Sequence, residues 1–150
     1  MLTKEQITEK LKNGWIQAAM MFEVLAITEE AAKDALVSHV GKMEKDGLVS
    51  IVKKDFLQIE KVEKPVQGIE TGFSQVCNIE FLAKNFDTLV QIVLEFGPAS
   101  IEILKPDKYQ LSAGEAHNIL NTMAEMMHKF AAAGFGGIVI ARGGNEGVVN

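Results

Sequence analysis

From Trp15 to Ile27 the chain runs thirteen residues without proline or glycine, and both alternating sets of side chains are largely apolar. Ile16, Ala18, Met20, Phe22 and Val24 make one set; Ala19, Met21, Leu25 and Ile27 make the other. Successive residues of a strand point to opposite faces of its sheet. A strand that is greasy on both faces belongs in the middle of a sheet covered on both sides. Few architectures offer such a position, so this segment limits the fold more than any other.

The flanking segments supply the rest of the frame. Thr28-Glu29-Glu30 starts a helix, with a capping hydroxyl and acidic residues where the helix dipole favours them. Ala32, Leu36, Val40 and Met43 then recur at helical spacing until Asp46-Gly47. Leu48 to Val62 reads as a second strand whose pattern slips around Lys53-Lys54-Asp55, as a bulge or an edge-strand bend would make it. Pro65, Gly68 and Gly72 mark a loop over Pro65 to Gly72. Phe73 to Leu82 is a third strand, with Phe73, Cys77, Ile79 and Phe81 on one face. Its other face carries Ser74, Val76, Asn78, Glu80 and Leu82. A helix over Asn85 to Phe96 stops at Gly97-Pro98, and Ile101 to Lys105 forms a fourth strand that ends at Pro106. Ser112 caps a long helix to Ala133, with Ala116, Ile119, Leu120, Met123, Met127 and Phe130 along its stripe. At the front, Thr3 and Gln6 resemble a capping box for a short helix that closes at Asn13-Gly14.

Strand, helix, strand, strand, helix, strand is the order of an α+β fold. It predicts a ferredoxin-like βαββαβ antiparallel sheet with an extra N-terminal helix and a long C-terminal helix. The two crossover helices of such a sheet share one face. The other face then needs a cover, and the C-terminal helix, from the same chain or from a partner subunit, is the one available. A single domain over residues 1–142 is expected, with a mobile tail over 143–150.

One stretch carries a family likeness. The run Asp87-Thr88-Leu89-Val90-Gln91-Ile92-Val93-Leu94-Glu95-Phe96-Gly97-Pro98, then Ile101-Glu102-Ile103-Leu104-Lys105-Pro106, then a long helix, resembles the C-terminal extension of WYL-type transcription regulators. In that family the equivalent strand-turn-helix closes a ferredoxin-like dimerisation and ligand-response module. The likeness covers residues 87–133, under a third of the chain. No helix-turn-helix reader and no WYL core domain accompanies it, and it carries no functional residue over.

Composition narrows the function classes. The 15 Lys and Arg are outnumbered by 20 Asp and Glu, for a net charge of −5, and they are scattered. A nucleic-acid module needs a basic face, so no direct nucleic-acid contact is expected. Ala131 to Ala141, the longest apolar stretch near a terminus, is about half of a spanning helix and is broken by three glycines. No membrane contact is expected from it. Cys77 stands alone and cannot close an internal disulfide, and Met1 to Gln6 lacks a signal-peptide pattern. The chain reads as cytoplasmic.

Candidate site residues are few. His117 and His128 lie eleven residues apart on the last helix, so they point the same way but stand ~16 Å apart along its axis. That separation is too wide for one metal ion, and no metal or cofactor is expected. With Asn121 between them, they border the apolar stripe and could line a pocket beneath the helix. Glu80 and Asn78 sit mid-strand on a face that should be half covered, where a buried carboxylate needs a partner. His39 borders its own helix stripe as a packing residue, and Cys77 reads as a small buried hydrophobe. Gly134-Phe135-Gly136-Gly137 follows a helix rather than opening one, so it lacks the amide-rich helix start that binds phosphate. Met123, Met126 and Met127 add malleable surface on the last helix, suited to core packing, a subunit contact or a ligand pocket.

These features lead to a self-associating, non-enzymatic domain, most simply a homodimer, with a regulatory, scaffolding or small-molecule-binding role. A small apolar ligand is the expected guest. Two alternatives stand beside it. One is a small enzyme with its pocket between the sheet and the C-terminal helix, using His117, His128 or Glu80. The other is an accessory module of a transcription regulator.

Overall fold

A computed structural model describes residues 1–134, 139–142 and 145–148, the last two stretches as backbone. In chain order the elements are α1 (Lys4–Lys12), β1 (Ile16–Ala26), α2 (Glu29–Lys45), β2 (Val49–Phe56), β3 (Glu60–Val66), β4 (Ile69–Ala83), α3 (Phe86–Phe96), β5 (Ser100–Lys105), α4 (Ala113–Ala132), β6 (Val139–Arg142) and β7 (Asn145–Val148). The fold is mixed α+β. An open, five-stranded antiparallel sheet runs in the order β2-β4-β1-β5, and β3 pairs with β4 as well.

Side-chain caps set the helix starts. Thr3 and Gln6 form the reciprocal capping box of α1, each side chain bonding the other's backbone N–H. Thr28, Asn85 and Ser112 accept from the third residue onward at the starts of α2, α3 and α4. Gly97 closes α3 in the left-handed region at φ 56°, where an L side chain would be strained.

β4 organises the sheet because it is fifteen residues long. Its C-terminal half pairs with β2, from Phe56↔Cys77 to Val49↔Ala83, and its N-terminal half pairs with β3. The single strand expected over Leu48 to Val62 is therefore two strands laid in line along one edge of β4. Leu57 sits at the joint; its N–H bonds the Val76 carbonyl, and its own carbonyl accepts from the buried Gln75 side chain. The loop expected over Pro65 to Gly72 is instead a hairpin, turning at Gln67-Gly68 between β3 and β4. Pro65 is tolerated because β3 is an edge strand, where one lost donor costs no ladder bond. The bulge expected near Lys53 is present, with a register shift between Ile51 and Lys53.

One face of the sheet carries the core. Ile16, Ala18, Met20 and Phe22 of β1 and Cys77, Ile79 and Phe81 of β4 pack on Leu36, Val40 and Met43 of α2 and on Leu89, Ile92 and Phe96 of α3. His39 joins the two helices. Its Nε2–H donates to the Phe96 carbonyl at 2.7 Å, and its ring meets Phe22 and Phe96 edge-on.

The second face departs from expectation. Gln17, Ala19 and Met21 are only half-buried, and Glu23 and Leu25 are exposed. The long helix does not cover them. α4 packs on α3, tied by a 2.7 Å hydrogen bond from Thr122 Oγ1 to Asp87. Its covered residues are Ile119, Met126 and Ala131, while Leu120, Met123 and Met127 face outward. The expectation that β1 is covered on both sides is therefore half met: among the described residues its core side is shielded, and its other side, which also carries Gln17 and Glu23, is left open. Of the expected tail, residues 143–144 and 149–150 lie outside the described residues, and Asn145–Val148 pair antiparallel with β6. The 135–137 part of the glycine-rich segment also lies outside them.

Candidate functional site

The strongest candidate is the open face of the sheet. Directly paired residues share a face, so the register specifies its surface. One row across the sheet is Lys53, Glu80, Ala19 and Glu102, from β2, β4, β1 and β5 in turn. The next row is Asp55, Asn78, Met21 and Ser100. A shallow groove of about 490 Å³ lies over these two rows. The Ala19 methyl is the smallest apolar side chain in it.

The β2 bulge decides which charges reach this surface. Ile51 packs toward the core, and the extra residue at Val52 resets the alternation. Lys53 and Asp55 then turn to the open face, while Lys54 reaches Glu44 of α2 at 2.7 Å on the helix side. Glu80 accepts a hydrogen bond from the Gln17 side chain, its neighbour on β1. Further along, Ser74 Oγ donates to Glu23 at 3.0 Å. Among the described residues, Lys53, Asp55 and Glu102 enter no ion pair. At the opposite end Leu82 is buried, and Met1, Leu2 and Gln6 share a groove with Ser50 and Ile51.

The candidate residues read from sequence do not come together. Glu80 and Asn78 lie on the open face. His117, Asn121 and His128 are exposed on α4, which belongs to the helical layer behind the other face. His39 is a seam residue between α2 and α3. Among the described residues no three His, Cys, Asp or Glu side chains converge to hold a metal ion. Cys77 is fully buried on the core face, and burial pushes its thiol pKa up, against the opposing pull of the Asp55 backbone and Lys54. A thiol so placed is not poised as a nucleophile.

Sequence reasoning missed Lys53, Asp55, Ser100 and Glu102. Each sits on a strand next to an edge or at one, and its face depends on the bulge and the pairing register. The contrary signal on β1 was legible: Gln17 and Glu23 belong to the same alternate set as Ala19 and Met21, and a fully covered face seldom accepts both.

A second groove, of about 550 Å³, lies between Trp15 and the β5–α4 connection, with Lys105, Lys108 and Tyr109 on its wall. Its aromatic groups are already engaged. The Lys10 ammonium sits 3.6 Å from the Trp15 ring centre, and Tyr109 packs on Phe86 with ring centres 5.9 Å apart. Among the described residues no helix is long and apolar enough to cross a membrane.

Against known proteins, the model of the MJ0538 family matches residues 17–143, so the chain belongs to that family. The match begins within β1, after α1, and extends past α4. No curated protein matches the chain, and no solved structure does. The resemblance to WYL-type regulators over residues 87–133 finds no support in these comparisons, and the helix, Gly-Pro, strand, Pro pattern is accounted for by the local need to end α3 and turn into β5.

Proposed function

We propose that this member of the MJ0538 family is a non-enzymatic domain that works as a homodimer, in a regulatory or scaffolding role inside the cell. The carrying observation is the uncovered sheet face, with Ala19, Met21 and Val76 half-buried and, among the described residues, no element laid over them. Apolar residues on a central strand normally lie against something, and α4 is committed to α3 instead. The ferredoxin-like reading fits the same picture. With β3 set aside, the remaining strands run β2-β4-β1-β5 with α2 and α3 as crossovers on one face. The opposite face of such a sheet is free for a partner. The absence of any convergence between Glu80 and the α4 histidines favours a binding role over catalysis. Sedimentation velocity at micromolar concentration tests the proposal. A dimer is expected, and a strict monomer removes it.

A further inference from the structure

Resting on that self-association, we infer that the open sheet faces of two copies pack on each other about a two-fold axis that runs across the strands. The axis lies between the Lys53-Glu80-Ala19-Glu102 row and the Asp55-Asn78-Met21-Ser100 row. Such an operation lays each strand antiparallel over its own copy and exchanges the two rows. Every column then meets its complement. On β2, Lys53 faces Asp55 of the second copy, opposite charges that have no ion-pair partner among the described residues. On β4, the Glu80 carboxylate faces the Asn78 amide, an acceptor against a donor. On β1, Met21 faces Ala19, a long flexible side chain over a methyl group. On β5, Glu102 faces the Ser100 hydroxyl, again an acceptor against a donor.

The arrangement answers the main objection to covering this face. It carries three carboxylates and one ammonium in these two rows, and stacking like charges on each other would oppose association. About this axis no carboxylate meets another. In the next row Gln17 falls toward Glu23, an amide against a carboxylate. The apolar β1 column lies near the centre and the Lys53–Asp55 pairs at the rim, which is the usual anatomy of a protein interface. Aligned sheet packing keeps strands within about 30° of each other, so central columns meet most directly. The axis also sends the two α1 helices to opposite ends of the dimer.

Charge exchange tests the register on the full chain. Lys53→Asp alone and Asp55→Lys alone each set like charges face to face, and each weakens dimerisation by at least about tenfold. Lys53→Asp combined with Asp55→Lys restores opposite charges and recovers the wild-type dissociation constant. Both exchanged residues, Lys53 and Asp55, are exposed, and unchanged far-ultraviolet circular dichroism confirms that the variants fold. Single variants that leave the dimer untouched overturn the inference while the self-association stands. Single variants that weaken it without rescue by the exchange overturn this axis. A wild-type monomer, including one that retains a small molecule in native mass spectrometry, overturns the inference and the self-association together.

Discussion

The two faces of the β1–β4 pair are made from alternate residues of the same strands, yet they answer to different physics. On the helix side Ile16, Ala18, Cys77 and Phe81 have no exposed surface, and their neighbours come from two helices fixed by capped starts. On the open side Glu80, Asn78, Ala19 and Met21 look outward in the isolated chain. Neighbouring positions one residue apart therefore report on different things. The helix side records what the chain needs to fold, and the open side is the one proposed to meet a second copy after folding.

The largest test of this contrast compares Phe81 with Glu80. Phe81→Ala removes a fully buried ring between the sheet and both helices and is expected to cost about 3–5 kcal/mol in urea unfolding. Within the chain Glu80→Ala loses only the hydrogen bond from Gln17, so at a protein concentration low enough to keep the chain monomeric it should cost no more than about 1 kcal/mol. Equal losses at the two sites would break the comparison, because they would mean that the open face is part of the folding core.

A middle-sized effect is expected at His39. Its ring is held by an acceptor on α3 and by two aromatic edges, one from the sheet and one from α3. His39→Ala leaves the Phe96 carbonyl without its side-chain donor and opens space between the helices. Thermal unfolding should show a loss of about 1–3 kcal/mol. A neutral substitution would show that the α2–α3 seam is held by Leu36, Val40 and Ile92 alone.

Much of the helical side was legible from sequence because its signals are local. A capping hydroxyl at Thr28, an apolar stripe at Leu36, Val40 and Met43, and a glycine at Gly97 each act within a few residues. Strand boundaries around β2, β3 and β4 were less legible because they depend on pairing across the chain. Pro65 and Gly68 carry the same local meaning in a loop and in a hairpin. Only the pairing of Glu60–Val66 with β4 distinguishes the two. The open face was hidden for a related reason. Ala19 and Met21 show apolar character whether a helix of the same chain or a second molecule covers them, and the sequence of one copy contains no information about which. Lys53 and Asp55 reach that face only through the bulge after Ile51.

The smallest predicted effect also comes from the buried side, at Cys77. Burial raises its thiol pKa in the folded state above the ordinary value of 9.0. The sign of the linkage follows from which state keeps the proton. Below the unfolded value both states are neutral thiols, and the full stability is present. As pH rises past 9.0 the unfolded chain ionises first, and stability falls until the folded thiol also titrates. The loss can be no steeper than about 1.4 kcal/mol per pH unit. Urea unfolding of wild type and Cys77→Ala at about pH 8 and pH 10 should therefore differ in slope, with the wild type losing more between the two. Matching pH dependence in the two proteins would mean that the thiol is as free to ionise when folded as when unfolded. That result would contradict a core face sealed from water and leave the two sides of the sheet less different than their packing implies.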